Sequence, residues 1–208
     1  MYKIREQSYF FIAILYWIIY MLGFVVMGIL YKNNVTNYNL VYYFLFFLGI
    51  LIVTIKDKSI VNLGFSRDNL KNNVLISIGI IFITFAISIL VSHYPLLTLL
   101  KKTVYYLFYI SLVEEVVYRG IIQNYLFGLK AKKYLIYVIG ALFFSLMHLP
   151  FQMYIHNNVS LTYIVNAIPQ LVFTFLFHLL MCFITYMRKD IAIPIALHFA
   201  IDYMQAIM

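Results

Sequence analysis

Seven stretches of the chain are apolar over lengths near the roughly 17–25 residues that a helix needs to cross a hydrocarbon layer. They fall at residues 9–31, 39–55, 73–92, 103–127, 134–151, 161–187 and 191–208. In lipid every backbone N–H and C=O must be satisfied inside the protein, and runs of this length select the helical way of doing so. The expected fold class is all-α, a polytopic membrane helical bundle of about seven transmembrane helices. A composition that is 65% hydrophobic and 11% charged departs from that of water-soluble domains in the same direction. The first run is long, shows no small-residue cleavage site and is followed by further runs, so it reads as an anchor and not as a removed signal.

The formal charge of +8 would suit a nucleic-acid partner if the cations were clustered. They are instead spaced by the spans. Lys3 and Arg5 precede span 1, while Lys56, Lys58, Arg67 and Lys71 separate spans 2 and 3. Lys130, Lys132 and Lys133 follow span 4, and Arg188 and Lys189 separate spans 6 and 7. The opposite loops hold Lys32, Lys101 and Lys102. By the positive-inside rule the N-terminus is expected to be cytoplasmic and the C-terminus outside. Topology thus accounts for the basic balance, and no nucleic-acid partner is expected. The one cysteine, Cys182, permits no intrachain disulfide and no multi-cysteine zinc site, and reads as a small buried residue of span 6.

No internal repeat or composition break divides the chain, so residues 1–208 are expected to form one membrane domain. The segment KDKSIVNLGFSRDNLKNN, residues 56–73, reads as a cytoplasmic loop with a short amphipathic piece at the interface. Ionisable residues at bilayer depth are concentrated late in the chain: Glu114, Glu115, Arg119, His148, His178, His198 and Asp202. Such residues are expensive in lipid and normally face a bundle interior or a wet cavity. Spans 1–3, within residues 1–102, are therefore expected to be scaffold, and spans 4–7, within residues 103–208, the functional core.

Helical spacing says which of these residues can meet. Glu115 and Arg119 are i and i+4, on one face and in the order that helices favour. Glu114 lies about 100° round the helix and is free of that pair. His198 and Asp202 are again i and i+4. Each feature has a plain structural reading: EExxxR as an ion-pair staple, HxxxD as a self-satisfied pair that fixes the ring tautomer, His148 as a helix-end histidine before Pro150, and His178 as a bond to a neighbouring helix. Together, carboxylates and imidazoles on several spans can activate water and stabilise an oxyanion.

Three segments in order, EEVVYR from Glu114 to Arg119, FSLMH from Phe144 to His148 and HFAID from His198 to Asp202, carry a resemblance over roughly residues 104–208. The chain resembles the CAAX protease and bacteriocin-processing family of intramembrane proteases, also called the Abi family. The resemblance implies an intramembrane endopeptidase of the glutamate type. Glu114 and His148 would activate the attacking water, Arg119 would hold Glu115, and His198 would stabilise the oxyanion with help from the Asp202 position. Where family members carry Asn at that position, an amide donor is ready, whereas Asp202 donates only when protonated. The family's phenylalanine-rich motif is partly present as FTFLF at 173–177, without its glycine.

The resemblance also implies a peptide or protein substrate at or in the bilayer and a role in bacterial peptide or bacteriocin processing or self-immunity. Ile, Asn, Lys and Tyr usage is that of an AT-rich bacterial genome, so the bacterial cytoplasmic membrane is the expected location. A water-activating glutamate requires no cofactor. If the enzyme were metal-dependent, zinc would fall to Glu114, His148 and His198. Two other readings remain open on sequence alone: a non-catalytic membrane immunity protein that uses the polar residues for packing, and a proton-coupled carrier, with Pro169 and Pro194 as kinks in spans 6 and 7.

Overall fold

The computed structural model describes residues 2–65 and 69–208. The helices are α1 (Gln7–Lys32), α2 (Leu40–Asp57), α3 (Leu70–Val91), α4 (Leu96–Leu129), α5 (Lys133–Ile155), α6 (Leu161–Asn166), α7 (Ile168–Arg188) and α8 (Ala192–Ile207). There is no strand among the described residues. Six of these helices, α1 to α5 and α7, are long and apolar enough to cross a membrane. The apolar α8 has 16 residues, about 24 Å at about 1.5 Å per residue, and is short of a full span. The chain is a multi-pass membrane protein.

Several boundaries differ from those read in the sequence. Span 4 starts at Leu96 and not at 103, because Pro95 supplies a ready-made N-cap and the helix takes in Lys101 and Lys102. Lys102 is tolerated there because its ammonium reaches the Ala206 carbonyl at 3.0 Å and lies over the Tyr94 ring. The run at 161–187 is divided between α6 and α7 at Ala167, since Pro169 has no N–H to offer the Val165 carbonyl. Pro194 does not kink α8. It sits in the first turn, where backbone N–H groups lack intrahelical partners in any case.

His148 does not end its helix either. The helix is interrupted at Met147, where Pro150 removes a bond to Leu146, and it resumes as His148–Ile155. The 56–73 loop is partly folded inward: Leu63, which ends a short 3₁₀ turn, and the following Gly64 are buried. Its residues 66–68, Arg67 included, lie outside the described residues.

The chain forms two compact units that interleave along the sequence. One comprises Val61–Gly120 and Phe183–Met208, so it holds α3, the first part of α4, and α8. Its core is Leu99, Phe199, Tyr203 and Ile207. Tyr203 is further held through its hydroxyl, 2.9 Å from that of Ser88 on α3. The other unit comprises Tyr2–Ile60 and Ile121–Cys182. There Tyr16 of α1 donates to the Leu45 carbonyl of α2 at 2.9 Å, and the Trp17 indole donates to Phe143 O of α5 at 3.2 Å while stacking on the Phe143 ring. Arg5 joins the start of α1 to the end of α2 through both carboxylate oxygens of Asp57, at 3.2 and 3.3 Å.

Candidate active site

The EE motif sits in an unusual piece of helix. Within α4, Leu112–Glu115 is a single α-helical turn between two π-helical segments, Tyr105–Ser111 and Val116–Ile122. A π-segment exchanges the i→i−4 bond for a wider turn with one extra residue, and such insertions are common where a helix must re-aim side chains. In a regular helix Glu114 and Glu115 point about 100° apart. Here both reach the same imidazole.

That imidazole is His198 of α8, which is 4% exposed. Its Nδ1 donates to Glu115 Oε1 at 2.8 Å, and the same oxygen accepts from Arg119 Nη1 at 2.6 Å. Its Nε2 faces the other two carboxylates, Glu114 Oε2 at 3.8 Å and Asp202 Oδ2 at 3.4 Å. The cluster is graded in access: the Glu115 and Arg119 side chains are fully buried, whereas Asp202 is 29% exposed. Arg119, with His198 when it is protonated, offsets most of the charge of the three carboxylates gathered here, the condition for holding them at membrane depth.

Five of the six ionisable residues of the three motifs, Glu114, Glu115, Arg119, His198 and Asp202, thus lie together in one compact unit. The sixth, His148, belongs to the other unit, on α5, where its Nδ1 donates to the Phe144 carbonyl at 3.0 Å. That bond fixes the ring edge-on to Phe144 and directs Nε2 away from its own helix.

The spacing of His198 and Asp202 leaves open whether Asp202 orients the ring or helps the oxyanion. Nδ1 is bonded to Glu115, a bond between two helices that spacing within one helix cannot reveal. Two buried polar atoms one turn apart on α4, Ser111 Oγ and Glu115 Oε2, have no hydrogen-bond partner among the described residues.

His178, read as a structural histidine, is bonded within the other unit. Its Nε2 donates to Gln123 Oε1 at 3.1 Å, and the Gln123 amide donates to the Ile136 carbonyl at 3.2 Å. Cys182 lies against the same Gln123 oxygen and is buried. Among the described residues no three His, Cys, Asp or Glu side chains are gathered in an arrangement that could hold a metal ion.

No curated protein and no solved structure matches the chain. A family model does: the one described as type II CAAX prenyl endopeptidase Rce1-like matches residues 95–204. The match covers more than half of the 208 residues and contains every one of the six site residues. A motif set read from three helices, a polar cluster in which one imidazole gathers three carboxylates, and the family match agree, and the chain belongs to the Rce1-like family of type II CAAX prenyl endopeptidases.

Proposed function

We propose that this protein is an intramembrane endopeptidase in which Glu114 activates the attacking water and His198 stabilises the oxyanion. The observation that carries the reading is the division of the His198 ring between two tasks. Nδ1 is committed to Glu115, itself held by Arg119, which leaves Nε2 facing Glu114 and Asp202. The 3.8 Å between Glu114 Oε2 and His198 Nε2 leaves both atoms within hydrogen-bonding range of one water.

In this mechanism the Glu114 carboxylate takes a proton from water as the oxygen adds to the peptide carbonyl carbon. The carbonyl oxygen becomes an oxyanion, which accepts a hydrogen bond from protonated His198 Nε2 and, when Asp202 carries a proton, from Asp202 as well. Collapse of the intermediate breaks the C–N bond, and Glu114 returns its proton to the leaving amine. Glu115 and Arg119 do not touch substrate; they orient the ring. His148 is assigned to water activation from its place in the motif order. No cofactor is required, and zinc on Glu114, His148 and His198 is the alternative that chelation tests.

The substrate is a peptide or protein presented at or in the bilayer, and the setting a bacterial cytoplasmic membrane with the N-terminus inside, in peptide or bacteriocin processing or self-immunity. Mass spectrometry of membrane and secreted peptides from cells making the native protein or Glu114→Gln at matched levels tests this. Peptides with new termini are expected only with the native chain. Identical profiles, together with bacteriocin resistance that survives Glu114→Gln, would establish the non-catalytic immunity protein instead.

A further inference from the structure

Two helices carry the cluster, and one short piece of backbone touches both of them beside it. Gly64, with φ +110°, occupies the left-handed region that favours glycine, and a Cβ there would lie 2.9 Å from Ile191 Cδ1 and Cγ2. The Gly64 carbonyl accepts from the Ile191 N–H at 3.1 Å. Ile191 is fully buried and is the N-cap residue of α8. It stands seven positions before His198, two turns or about 10 Å along the axis. Asp190 Oδ1 accepts from the Ala192 N–H at 2.7 Å, which fixes that helix start.

On the other side, Gly120 immediately follows Arg119 in the second π-helical segment. A Cβ on Gly120 would collide with the Leu63 carbonyl oxygen and stand 2.9 Å from the Leu63 carbonyl carbon. The Leu63 backbone can approach α4 this closely only because residue 120 has no side chain. Both glycines are therefore needed for contact and not for chain flexibility alone.

We propose that Leu63–Gly64 is a positioning strap, keyed into α4 at Gly120 and into the start of α8 at Ile191, that sets the separation at which Glu115 reaches His198. The inference rests on the peptidase reading for its kinetic consequences and stands apart from it for its geometric ones. A methyl group at Gly120 has to displace either the strap or the helix, and a displacement of about 1 Å in a catalytic array can cost about a hundredfold in rate. Displacing the strap presses it onto Ile191. Shortening Ile191 to Val removes Cδ1, one of the two Ile191 atoms nearest the Gly64 Cβ position, and gives the strap room to retreat.

The test compares the native protein, Gly120→Ala, Ile191→Val and the double variant, all reconstituted in lipid. The first readout is the imidazole ¹⁵N resonances of histidine-labelled protein, with His198 assigned by its loss in His198→Asn. The second is kcat and KM on a substrate identified as above. Gly120→Ala is expected to move the His198 Nδ1 resonance and to lower kcat at least about tenfold with KM within about twofold. Adding Ile191→Val is expected to move both back towards native.

A folded Gly120→Ala protein with native His198 resonances, or a double variant that shows the summed losses of the two singles, would overturn the strap. If Gly120→Ala does not fold, Ile191→Val alone decides: a shifted His198 signal supports the strap and a native one refutes it. Absence of hydrolysis by the native protein would sink the peptidase reading, while the histidine resonances would still test the strap.

Discussion

Arg119→Met removes the cation from a carboxylate that has no water to turn to. The two side chains are 0% exposed and 2.6 Å apart. Removing one partner of a buried ion pair costs about 3–5 kcal/mol, because the charge left behind stays buried. Here Glu115 keeps one partner, the His198 Nδ1–H at 2.8 Å, which places the expected loss near the lower end, about 3 kcal/mol. Against a total stability of about 5–15 kcal/mol that is a large fraction.

Arg119→Met combined with Glu115→Gln removes both charges of the pair and keeps a carbonyl oxygen for the Nδ1–H. Its expected loss is about 1 kcal/mol, the net worth of an ordinary hydrogen bond. The double variant should therefore be more stable than Arg119→Met by about 2 kcal/mol, or about 30-fold in the folding equilibrium. Reversible unfolding of the four proteins of this cycle in mixed micelles, followed by circular dichroism, measures the coupling. A single variant within about 1 kcal/mol of native, or a double variant no more stable than the single, would refute the argument that Glu115 and Arg119 compensate one another in a dry site.

Asp202→Asn supplies an amide donor at the partly exposed edge of the cluster, 3.4 Å from His198 Nε2. Peptidase activity is expected to be kept or raised, and a loss of about tenfold or more in kcat would show that the carboxylate itself is needed. Incubation with a zinc chelator is expected to leave activity unchanged. Loss that added zinc restores would replace the metal-free mechanism with one through Glu114, His148 and His198. Gly140→Ala in α5 would put a methyl group onto the Gln123 side-chain oxygen and 3.2 Å from His178 Nε2. Overpacking of this kind is expected to lower stability by about 1–3 kcal/mol, and an unchanged unfolding midpoint would count against that packing.

The sequence by itself determined the class of fold and which ionisable residues of α4 and α8 pair along one helix. Apolar runs of bilayer length leave a chain little choice but helices, because every backbone group has to bond within its own segment. The i,i+4 spacing of Glu115 with Arg119 and of His198 with Asp202 told which side chains share a helix face, and both pairs are close in space. Helix ends were less legible. Pro95, Pro150, Pro169 and Pro194 each act through which carbonyl loses its donor, so the same residue type starts one helix, interrupts another and leaves a third straight.

What only the tertiary structure decided is which helices meet and at what height. Glu115 could be paired with Arg119 from spacing, but its second bond, to His198 83 positions away, depends on how α4 and α8 pack. That bond gives Glu115 a hold on the ring nitrogen that Asp202, facing Nε2, does not reach. Likewise Gly64 and Gly120 look in the sequence like any loop glycine and helix glycine. Their meaning comes from Leu63 and Ile191, which contact them across the unit, because close packing between segments distant in the chain has no local signature.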